Sequence, residues 1–317
     1  MALRVVALAG GVGGAKLADG LAAVLPPQSL TIIVNTGDDF EHLGLAIWPD
    51  LDTVMYTLAG LAHPKTGWGR RDETWNFLQT LGELGGPTWF RLGDRDTALH
   101  VLRTQQLRAG ARPADVVEGL CRQLGIPHTL LPMTEDRVRT MVATDDGELP
   151  FQEYFVARAC EPKVRGFRFD GAESSAPGRG VLEALHAAEV IIVCPSNPWV
   201  SIDPILAVPG IREAVASRPV VAVSPIIAGE AVRGPAAKIF REMGIEPSPL
   251  AVAEHYGGLL GGMVIDRADA ALRPALESRG LRVRVAQTLM RKPADRRALA
   301  EAALDHATSV VNEKVTP

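Results

Sequence analysis

Short runs of apolar residues alternate with longer amphipathic stretches along much of the chain. The first apolar run covers residues 3–8, glycines cluster at 10–14, and the spacing at 15–25 predicts a helix before a second strand at 31–34. Two strands joined by a crossover helix are almost always parallel, with a right-handed connection. The opening of the chain therefore predicts the first unit of a parallel α/β sheet.

The same order of elements returns in the second half of the chain. Residues 190–193 and 220–223 are short β-branched runs, and each is followed by a turn, at 195–198 and at 224–229. Open parallel sheets bind their ligands at the carboxyl ends of the strands. We therefore expect these two turns and the glycine cluster to meet at one crevice.

The region between the two halves has helical and hairpin patterns. Its apolar spacing predicts helices at 75–84, 97–109 and 113–124, and strands at 137–144 and 153–159. The Asp-Asp-Gly sequence between these strands is a common signal for a tight hairpin turn. We therefore expect an insertion built from helices and a β-hairpin.

These patterns define an α/β fold class, a Rossmann-like parallel sheet flanked by helices, with a helical and β-hairpin insertion covering the crevice. We assign residues 1–60 and 181–317 to the nucleotide-binding core and residues 61–180 to the inserted subdomain. A chain of 317 residues is long enough to bury a substantial core, whether it forms one large domain or two smaller ones.

Composition and charge exclude several classes of protein. Hydrophobic residues make up 47% of the chain and charged residues 22%, which is typical of globular proteins. No apolar run approaches the roughly 20 residues that span a bilayer, and the first run ends in glycines rather than in a signal-peptidase site. The net charge of −4 gives no general attraction for nucleic acid, and the three isolated cysteines encode neither a disulfide framework nor a zinc site. We expect a cytoplasmic protein without a membrane or nucleic-acid partner.

The glycine cluster at 10–16 lies between a predicted strand and a predicted helix, where backbone N–H groups and the helix dipole can bind phosphate. It matches no standard nucleotide fingerprint well. Lys16 lacks the preceding glycine and the following Ser or Thr of a P-loop, and it stands where a dinucleotide fingerprint that begins at Gly11 needs a third glycine. The cluster indicates either a phosphate site or a tight turn without a ligand.

Two acidic turns follow the glycine cluster, NTGDD at 35–39 and PDLDT at 49–53. Carboxylates near a diphosphate commonly hold Mg²⁺ or orient a hydroxyl group. The alternatives are structural: Asp38 or Asp39 would bind its own turn, and Asp52 would cap a helix that begins near 53. Together with a phosphate cradle, the two turns favour metal-assisted transfer from a diphosphate.

Three later segments add polar groups near predicted element ends. The first, at 91–96, carries Arg91 and Arg95, whose guanidinium groups suit phosphate or carboxylate, although surface ion pairing would also explain them. The turn at 195–201 offers hydroxyl, amide and indole groups. The segment at 224–238 places a glycine and a proline at the start of a helix that carries a lysine, which is consistent with a second anion site. The histidines show no metal-ligand spacing.

These motifs, taken together and in order, resemble one family over nearly the whole chain. They are GGVGGAK at 10–16, NTGDD at 35–39, PDLDT at 49–53, RLGDRD at 91–96, LPM at 131–133, PSNP at 195–198 and SPIIAGEAVRGPAAK at 224–238. The set is similar to the 2-phospho-L-lactate transferases of coenzyme F-420 biosynthesis, including members that use a phosphoenolpyruvyl donor.

The resemblance implies an Mg²⁺-dependent transfer. The terminal ribityl hydroxyl of the deazaflavin 7,8-didemethyl-8-hydroxy-5-deazariboflavin attacks the acid-bearing phosphorus of a guanosine diphospho-acid, and GMP is released. The acid is phosphoenolpyruvate, 2-phospholactate or 3-phosphoglycerate, which the sequence does not distinguish. A homodimer is also implied.

The resemblance carries specific residues. The implied catalytic residues are Asp38, Asp39 and Asp52, and the implied metal ligands are Asp38, Asp50 and Asp52. The implied deazaflavin contacts are Asp50, Asp52, Thr53 and Arg91, the last where archaeal members tend to have lysine. The implied contacts of the guanosine diphosphate donor are Gly11, Val12, Gly13, Gly14, Lys16, Asn35, Ser196, Asn197, Ser224 and Gly234. The insertion around Tyr56, Trp68 and Trp75 would offer apolar walls to the flat ring.

Two other functions stay open on the sequence alone. The fold and the glycine cluster also resemble a related family of nucleotide-sugar-binding regulatory proteins that perform no known chemistry, and a fold does not establish catalysis. The RLGDRD and PDLDT motifs favour the transferase. An NAD-dependent oxidoreductase is disfavoured by Lys16 at the third glycine position.

Overall fold

The computed structural model describes residues 3–314, with side chains described as far as residue 311. The strands of this part of the chain are β1 Val5–Ala9, β2 Leu30–Val34, β3 Phe40–His42, β4 Leu45–Ile47, β5 Thr129–Pro132, β6 Arg139–Thr144, β7 Gly147–Pro150, β8 Val164–Asp170, β9 Val190–Val193, β10 Val220–Val223, β11 Ile226–Ile227, β12 Glu230–Ala231, β13 Gly262–Asp266 and β14 Arg282–Ala286.

The α-helices alternate with these strands in both halves of the chain. They are α1 Gly11–Ala22, α2 Pro49–Leu58, α3 Asn76–Glu83, α4 Asp94–Arg108, α5 Pro113–Gln123, α6 Val181–Ala187, α7 Asp203–Ala207, α8 Ile211–Ala216, α9 Ala236–Glu242, α10 Pro249–Tyr256, α11 Arg273–Glu277 and α12 Pro293–Lys314. Between residues 3 and 314, no helix combines the length and the apolar character needed to cross a bilayer.

The main sheet has seven strands in the order β14–β13–β10–β9–β1–β2–β5, and all neighbouring pairs are parallel. Strand β1 pairs with β2 on one side and with β9 on the other, so the strand order reverses between β1 and β9. A reversal of this kind opens a crevice at the carboxyl ends of the two strands. The predicted Rossmann-like parallel sheet is confirmed.

The sheet is covered by helices on both faces, which explains its apolar strands. Val5 and Ala7 of β1 pack into a core that includes residues of α1, α2 and α12, whereas Val6 and Leu8 pack into a second core that includes residues of α6, α7 and α8. Strands that are buried on both faces read as continuous apolar runs. The sequence pattern therefore located these strands correctly.

Helix α1 begins earlier than predicted, because part of the glycine cluster is helical. The expected range was 15–25, whereas the helix covers Gly11–Ala22. A Cβ atom on Gly13 would lie 2.2 Å from the carbonyl oxygen of Pro195, and one on Gly14 would lie 2.4 Å from Oγ of Ser196. The close approach of the turn after β9 thus requires glycine in the first helical turn, despite the low helix propensity of glycine.

The second strand of the inserted hairpin differs from the one predicted. A hairpin forms around the Asp-Asp-Gly turn, as expected, but the strand that pairs with β6 across the turn is β7, and the predicted strand at 153–159 is wrong. This segment forms a π-helical turn at Glu153–Ala157, and β8 pairs with β6 instead. Phe151, Tyr154 and Phe155 follow the i, i+3, i+4 spacing of a helix, and the rings of Phe151 and Phe155 stack at 5.4 Å.

The predicted boundaries of the insertion also need a correction. Strand β5 lies inside the range 61–180 but pairs in parallel with β2, so it belongs to the main sheet. The predicted helices at 75–84, 97–109 and 113–124 correspond to α3, α4 and α5. The material outside the sheet is therefore divided in two, α3 and α4 before β5 and the β6–β7–β8 sheet after it.

Candidate active site

A cavity of about 810 Å³ opens at the carboxyl ends of the central strands. Its walls include the glycine turn after β1, the turn after β9 and the turn after β10, together with aromatic side chains of the insertion. The expectation that the three turns meet at one crevice is confirmed, and the insertion covers that crevice.

Most of the residues implied by the resemblance line this cavity. They are Gly11, Val12, Gly13, Lys16, Asp38, Asp50, Asp52, Thr53, Arg91, Ser196, Asn197, Ser224 and Gly234. Three others, Gly14, Asn35 and Asp39, are buried outside the lining. The roles of all of them stay predictions, but the structure gives each one a specific position.

The glycine turn is tied to its neighbours by short polar contacts. The N–H of Gly11 donates to Oδ1 of Asp50 at 2.8 Å, and the N–H of Gly10 donates to Oγ of Ser196 at 3.1 Å. The Ser196 hydroxyl in turn donates to the carbonyl oxygen of Gly10 at 2.8 Å. Helix α1 has no side-chain cap, so its remaining first-turn amides and its dipole face the crevice and favour an anion.

Asp38 and Asp50 form a buried acidic pair in the cavity wall. Burial raises the pKa of Asp50 to about 6, although hydrogen bonds from Asn35 and Gly11 oppose the shift. Burial raises the pKa of Asp38 well above its ordinary value, and the Asp50 carboxylate raises it further. Asn35 lies behind this pair and donates from Nδ2 to Oδ2 of Asp50 at 2.9 Å, so it orients the carboxylate.

The acidic pair fits a divalent cation that also binds substrate phosphate. Oδ1 of Asp38 is buried without a hydrogen-bond partner in the described part of the chain. Mg²⁺ commonly binds one or two carboxylates and completes its shell with phosphate and water. No cluster of three or more His, Cys, Asp or Glu side chains suited to a metal occurs in residues 3–311. Asp38 and Asp50 are therefore the residues that fit Mg²⁺, and the remaining ligands of such an ion would have to come from substrate or water.

The raised pKa of Asp50 predicts a pH-dependent stability of the metal-free protein. The pKa is 3.8 ordinarily and about 6 in the folded state, so the folded state binds the proton more tightly. Protonation of Asp50 therefore contributes up to about 3 kcal/mol to the free energy of unfolding. This contribution is fully present below about pH 4 and is lost as the pH rises through about 6. Urea unfolding in a chelator at about pH 5 and about pH 8 measures the upper part of this decline, about 1.4 kcal/mol for one pKa unit. A decline of the same size in Asp50→Asn would contradict the assignment.

Asp52 is held differently, by an arginine from another helix. Both oxygens of its carboxylate accept hydrogen bonds from the guanidinium of Arg103, at 3.0 Å for Oδ2. The alternative that Asp52 caps a helix starting near 53 is wrong, because α2 begins at Pro49 and Trp48 is its N-cap residue. Asp52 thus lies in the first turn of α2, with its carboxylate in an ion pair at the cavity wall.

Sequence reasoning named Tyr56 as an apolar wall and Asp96 as part of the RLGDRD motif, but it did not identify His100, Arg103 or the contacts around this ion pair. Tyr56, Asp96 and His100 all line the cavity, and the Tyr56 hydroxyl donates to Oδ1 of Asp96 at 2.5 Å. Burial opposes ionisation of Asp96, but His100, Tyr56 and the charge of Arg103 together lower its pKa below the ordinary value. The signal was present as the i, i+4, i+7 spacing of Asp96, His100 and Arg103, which becomes informative only when α2 is known to face α4.

Some residues of the RLGDRD motif line the cavity, and others stabilise helix ends. Arg91 lines the cavity, and its guanidinium lies 4.7 Å from the ring centre of Trp75. Asp94 accepts hydrogen bonds from the N–H groups of residues 76 and 77 and so caps α3. Glu73 likewise accepts from the N–H groups of Arg95 and of residue 96, which caps α4. Arg95 itself is exposed and lies outside the cavity lining.

Aromatic side chains form a second part of the cavity wall. Tyr56 and Trp68 line it as implied by the resemblance, whereas Trp75 stands behind Arg91. Four further aromatic residues in the lining were not anticipated: Trp89, Phe90, Phe151 and Phe155. The cavity therefore combines a polar wall on the sheet with an aromatic wall on the insertion.

The remaining basic and polar residues surround the glycine turn. Lys16 donates from Nζ to the carbonyl oxygen of Met290 at 2.9 Å, and burial and the nearby charges of Arg296 and Arg233 lower its pKa. Asn197 lines the cavity, and its Nδ2 is buried without a partner in the described residues. Lys238, on the helix of the expected second anion site, pairs with Glu242 at 2.6 Å and is outside the cavity lining.

The fold and the site define a doubly wound α/β protein with a cavity at the point where the strand order reverses. The profile of the family described as 2-phospho-L-lactate transferase CofD matches residues 5–301. The chain belongs to this family of transferases.

Related proteins agree with this assignment, and a solved structure shares the fold. A phosphoenolpyruvate transferase of Streptomyces griseus is 46% identical over 316 residues, which cover 97% of this chain and 99% of the relative. A 2-phospho-L-lactate transferase of Methanopyrus kandleri is 42% identical over 299 residues, which cover 93% and 94%. A UPF0052 family protein of Bacillus halodurans superposes with a TM-score of 0.62 at 18% identity, over 96% of this chain and 100% of that one, and supports the fold.

Proposed function

We propose that this protein transfers a phospho-organic-acid group from a guanosine diphospho-acid to the terminal ribityl hydroxyl of the deazaflavin, as a step of coenzyme F-420 biosynthesis. The observation that carries the proposal is the acidic pair Asp38 and Asp50 beside the uncapped N-terminus of α1, in a cavity that also has an aromatic wall. Membership of the family and the names of the relatives support the same chemistry.

The diphosphate of the donor would lie at the start of α1. The free first-turn amides and the helix dipole favour its negative charge, and Lys16 and Arg233 line the same cavity. Asn197 and Ser224, from the turns after β9 and β10, would contact the guanosine part. The buried and unpartnered Nδ2 of Asn197 is a donor that such a ligand would satisfy.

Asp38 and Asp50 would hold the Mg²⁺ ion. When bound, the ion would neutralise charge on the diphosphate and polarise the phosphorus that is attacked. The two residues fit this role because their negative charges are buried close together and repel each other, and a cation between them would relieve the repulsion. Asp39 is buried outside the cavity lining, and the charge of Arg139 offsets its own, so we propose a supporting role for it rather than a direct one.

The deazaflavin would lie against the aromatic wall with its hydroxyl chain toward α2. A flat ring stacks favourably on side chains such as Trp68, Trp89 and Phe155. Asp52 and Thr53 line the polar wall and can accept hydrogen bonds from the ribityl hydroxyl groups. A ligand with a flat ring and a hydroxylated chain would use both the aromatic wall and the polar wall of the cavity.

Transfer would then proceed by in-line displacement at the acid-bearing phosphorus. The hydroxyl oxygen forms the new P–O bond, and the P–O bond to the bridging oxygen breaks, so that GMP leaves with the electron pair. The hydroxyl proton passes to a carboxylate of the polar wall, for which we propose Asp52. Catalysis of this kind depends mainly on positioning and on neutralisation of charge.

The acid that is transferred is phosphoenolpyruvate or 2-phospholactate. The Streptomyces relative named for phosphoenolpyruvate is 46% identical and the Methanopyrus relative named for 2-phospholactate is 42% identical, which favours phosphoenolpyruvate. The cytoplasmic location and the homodimer that the resemblance implies stay predictions.

The proposal is tested by mixing the protein with Mg²⁺, the deazaflavin alcohol and one guanosine diphospho-acid at a time. The three donors carry phosphoenolpyruvate, 2-phospholactate or 3-phosphoglycerate. Mass spectrometry should detect GMP together with a phosphodiester of the deazaflavin, and the productive donor identifies the acid. If folded protein produced neither compound from any donor and instead bound a nucleotide sugar tightly, the regulatory-binding function would replace the transferase.

A further inference from the structure

Arg103 is a completely buried arginine with an acidic partner on the cavity wall. Among the described residues it has the largest fully buried side chain, and it reaches from α4 to both carboxylate oxygens of Asp52 on α2. Its guanidinium also lies 4.3 Å from the ring centre of Trp48. Two parallel N–H···O bonds fix the plane of a carboxylate as well as its position.

His100 extends this contact by one helical turn. Its Nδ1 lies 3.3 Å from Nη1 of Arg103, and a guanidinium can only donate, so Nδ1 accepts and Nε2 carries the hydrogen. Nε2 faces Oδ1 of Asp96 at 3.4 Å, and the same oxygen accepts from the Tyr56 hydroxyl at 2.5 Å. The imidazole therefore lies between the guanidinium of Arg103 and the carboxylate of Asp96.

The five residues join α2 to α4 at two levels. Asp52 and Tyr56 are four residues apart on α2, and they meet Arg103 and Asp96 of α4, respectively. His100 stands between the two contacts, with Nδ1 at 3.7 Å from Oδ2 of Asp52. All except Arg103 line the cavity, so the chain of contacts forms part of its wall.

Stability alone is a weak reason for such a cluster. Replacing a buried ion pair by apolar residues of similar volume is often neutral or stabilising, so a merely structural contact between α2 and α4 would not require charges. A buried clamp does, however, hold a carboxylate in one rotamer, and loss of about 1 Å of precision can reduce a transfer rate by about 100-fold.

We propose that Arg103 and His100 are positioning residues that hold Asp52 at the cavity wall in the orientation that accepts the attacking hydroxyl of the acceptor. This inference rests on the proposed function and adds to it the residues that orient the proton acceptor. Arg103 does not contact substrate and acts through Asp52. His100 acts through Arg103 and Asp96.

The test compares Arg103→Lys, Arg103→Met and His100→Gln with the wild type. The matched control is Arg108→Met on the same helix, which removes a surface hydrogen bond to the carbonyl oxygen of Gly44. Thermal unfolding gives the folded fraction, calorimetry with GDP and Mg²⁺ gives donor-side affinity, and kcat is measured per folded molecule. Lysine keeps the charge but has no planar fork, so both Arg103 variants should lose about 10-fold to 100-fold in kcat, while affinity for GDP stays within about threefold.

A double-mutant cycle with Asp52→Asn separates positioning from a general structural role. If Arg103 acts through Asp52, Arg103→Met should change kcat by less than about threefold in the Asp52→Asn background. A wild-type kcat in Arg103→Lys, Arg103→Met and His100→Gln would overturn the inference while leaving the transferase intact. Equal losses of kcat in the wild-type and Asp52→Asn backgrounds would also overturn it. A wild-type protein without any transfer would instead overturn the proposed function, and this inference with it.

Discussion

Asp50→Asn should reduce kcat by about 100-fold to 1000-fold, the largest loss expected from a single substitution in the cavity. The asparagine amide keeps the shape of the side chain and can still accept the N–H of Gly11, but it removes half of the buried acidic pair. The variant should also lose most of the thermal stabilisation that Mg²⁺ and GDP give the wild type, because a ligand stabilises the folded state only at concentrations above its dissociation constant, which the substitution raises. Steady-state kinetics and thermal unfolding measure the two effects.

The control for this prediction is Asp115→Asn, which also neutralises one aspartate. Asp115 is half-exposed on α5, pairs with Arg179 at 2.6 Å and is outside the cavity lining. Its substitution should leave kcat and the response to Mg²⁺ unchanged, since surface ion pairs contribute little. Activity of Asp50→Asn at the level of this control would show that the acidic pair is not the metal site.

Gly13→Ala should destabilise the protein by about 1 to 3 kcal/mol and weaken binding of GDP. The added Cβ would lie 2.2 Å from the carbonyl oxygen of Pro195, so that either α1 or the turn after β9 must move. These two segments flank the switch point, where the diphosphate would bind. Urea unfolding and calorimetry with GDP and Mg²⁺ provide the measurements.

Gly119→Ala is the matched control for this substitution. Gly119 lies inside α5, and a Cβ added there meets no atom within 4 Å. Alanine has the higher helix propensity, so this variant should be about 0.5 to 1 kcal/mol more stable than the wild type. If both alanine variants were equally stable, the close approach of α1 to the turn after β9 would be incorrect.

The sheet was predictable because its strands are buried on both faces. The runs at 190–193 and 220–223 correspond to β9 and β10 without any change of boundary, and the turns that follow them were placed correctly at one crevice. Apolar β-branched runs bounded by turn residues carry this information locally. The predictions that were wrong concern elements whose conformation depends on residues distant in sequence.

The segment after the hairpin shows this dependence. Residues 153–159 are rich in aromatic and β-branched side chains and were predicted as a strand, yet Phe151 and Tyr154 are buried on one side of a helical turn. Helix α1 likewise starts inside the glycine cluster, where the close approach of Pro195, far away in the sequence, excludes a side chain at Gly13. Tertiary contacts decide both cases, and local propensity does not report them.

The composition of the cavity was predictable only in part, for a related reason. The motif residues were identified as a set, but the role of each one depends on contacts with residues that are distant in sequence, such as the contact of Asp52 with Arg103. Asn35 supports Asp50 from behind, and Asp94 caps a helix, although both belong to motifs read as ligand contacts. The pattern indicated where polar groups cluster, and the folded geometry shows which of them face the cavity.

In the proposed reaction the acceptor hydroxyl attacks the acid-bearing phosphorus. An isotope label in that hydroxyl follows the attacking oxygen into the product. The deazaflavin alcohol is prepared with ¹⁸O in its terminal ribityl hydroxyl and incubated with the protein, Mg²⁺ and the productive guanosine diphospho-acid. Mass spectrometry should find the label in the phosphodiester product and none in GMP. Formation of a deazaflavin ester of GMP with release of the phospho-acid, or no transfer at all by folded protein, would contradict the proposed reaction.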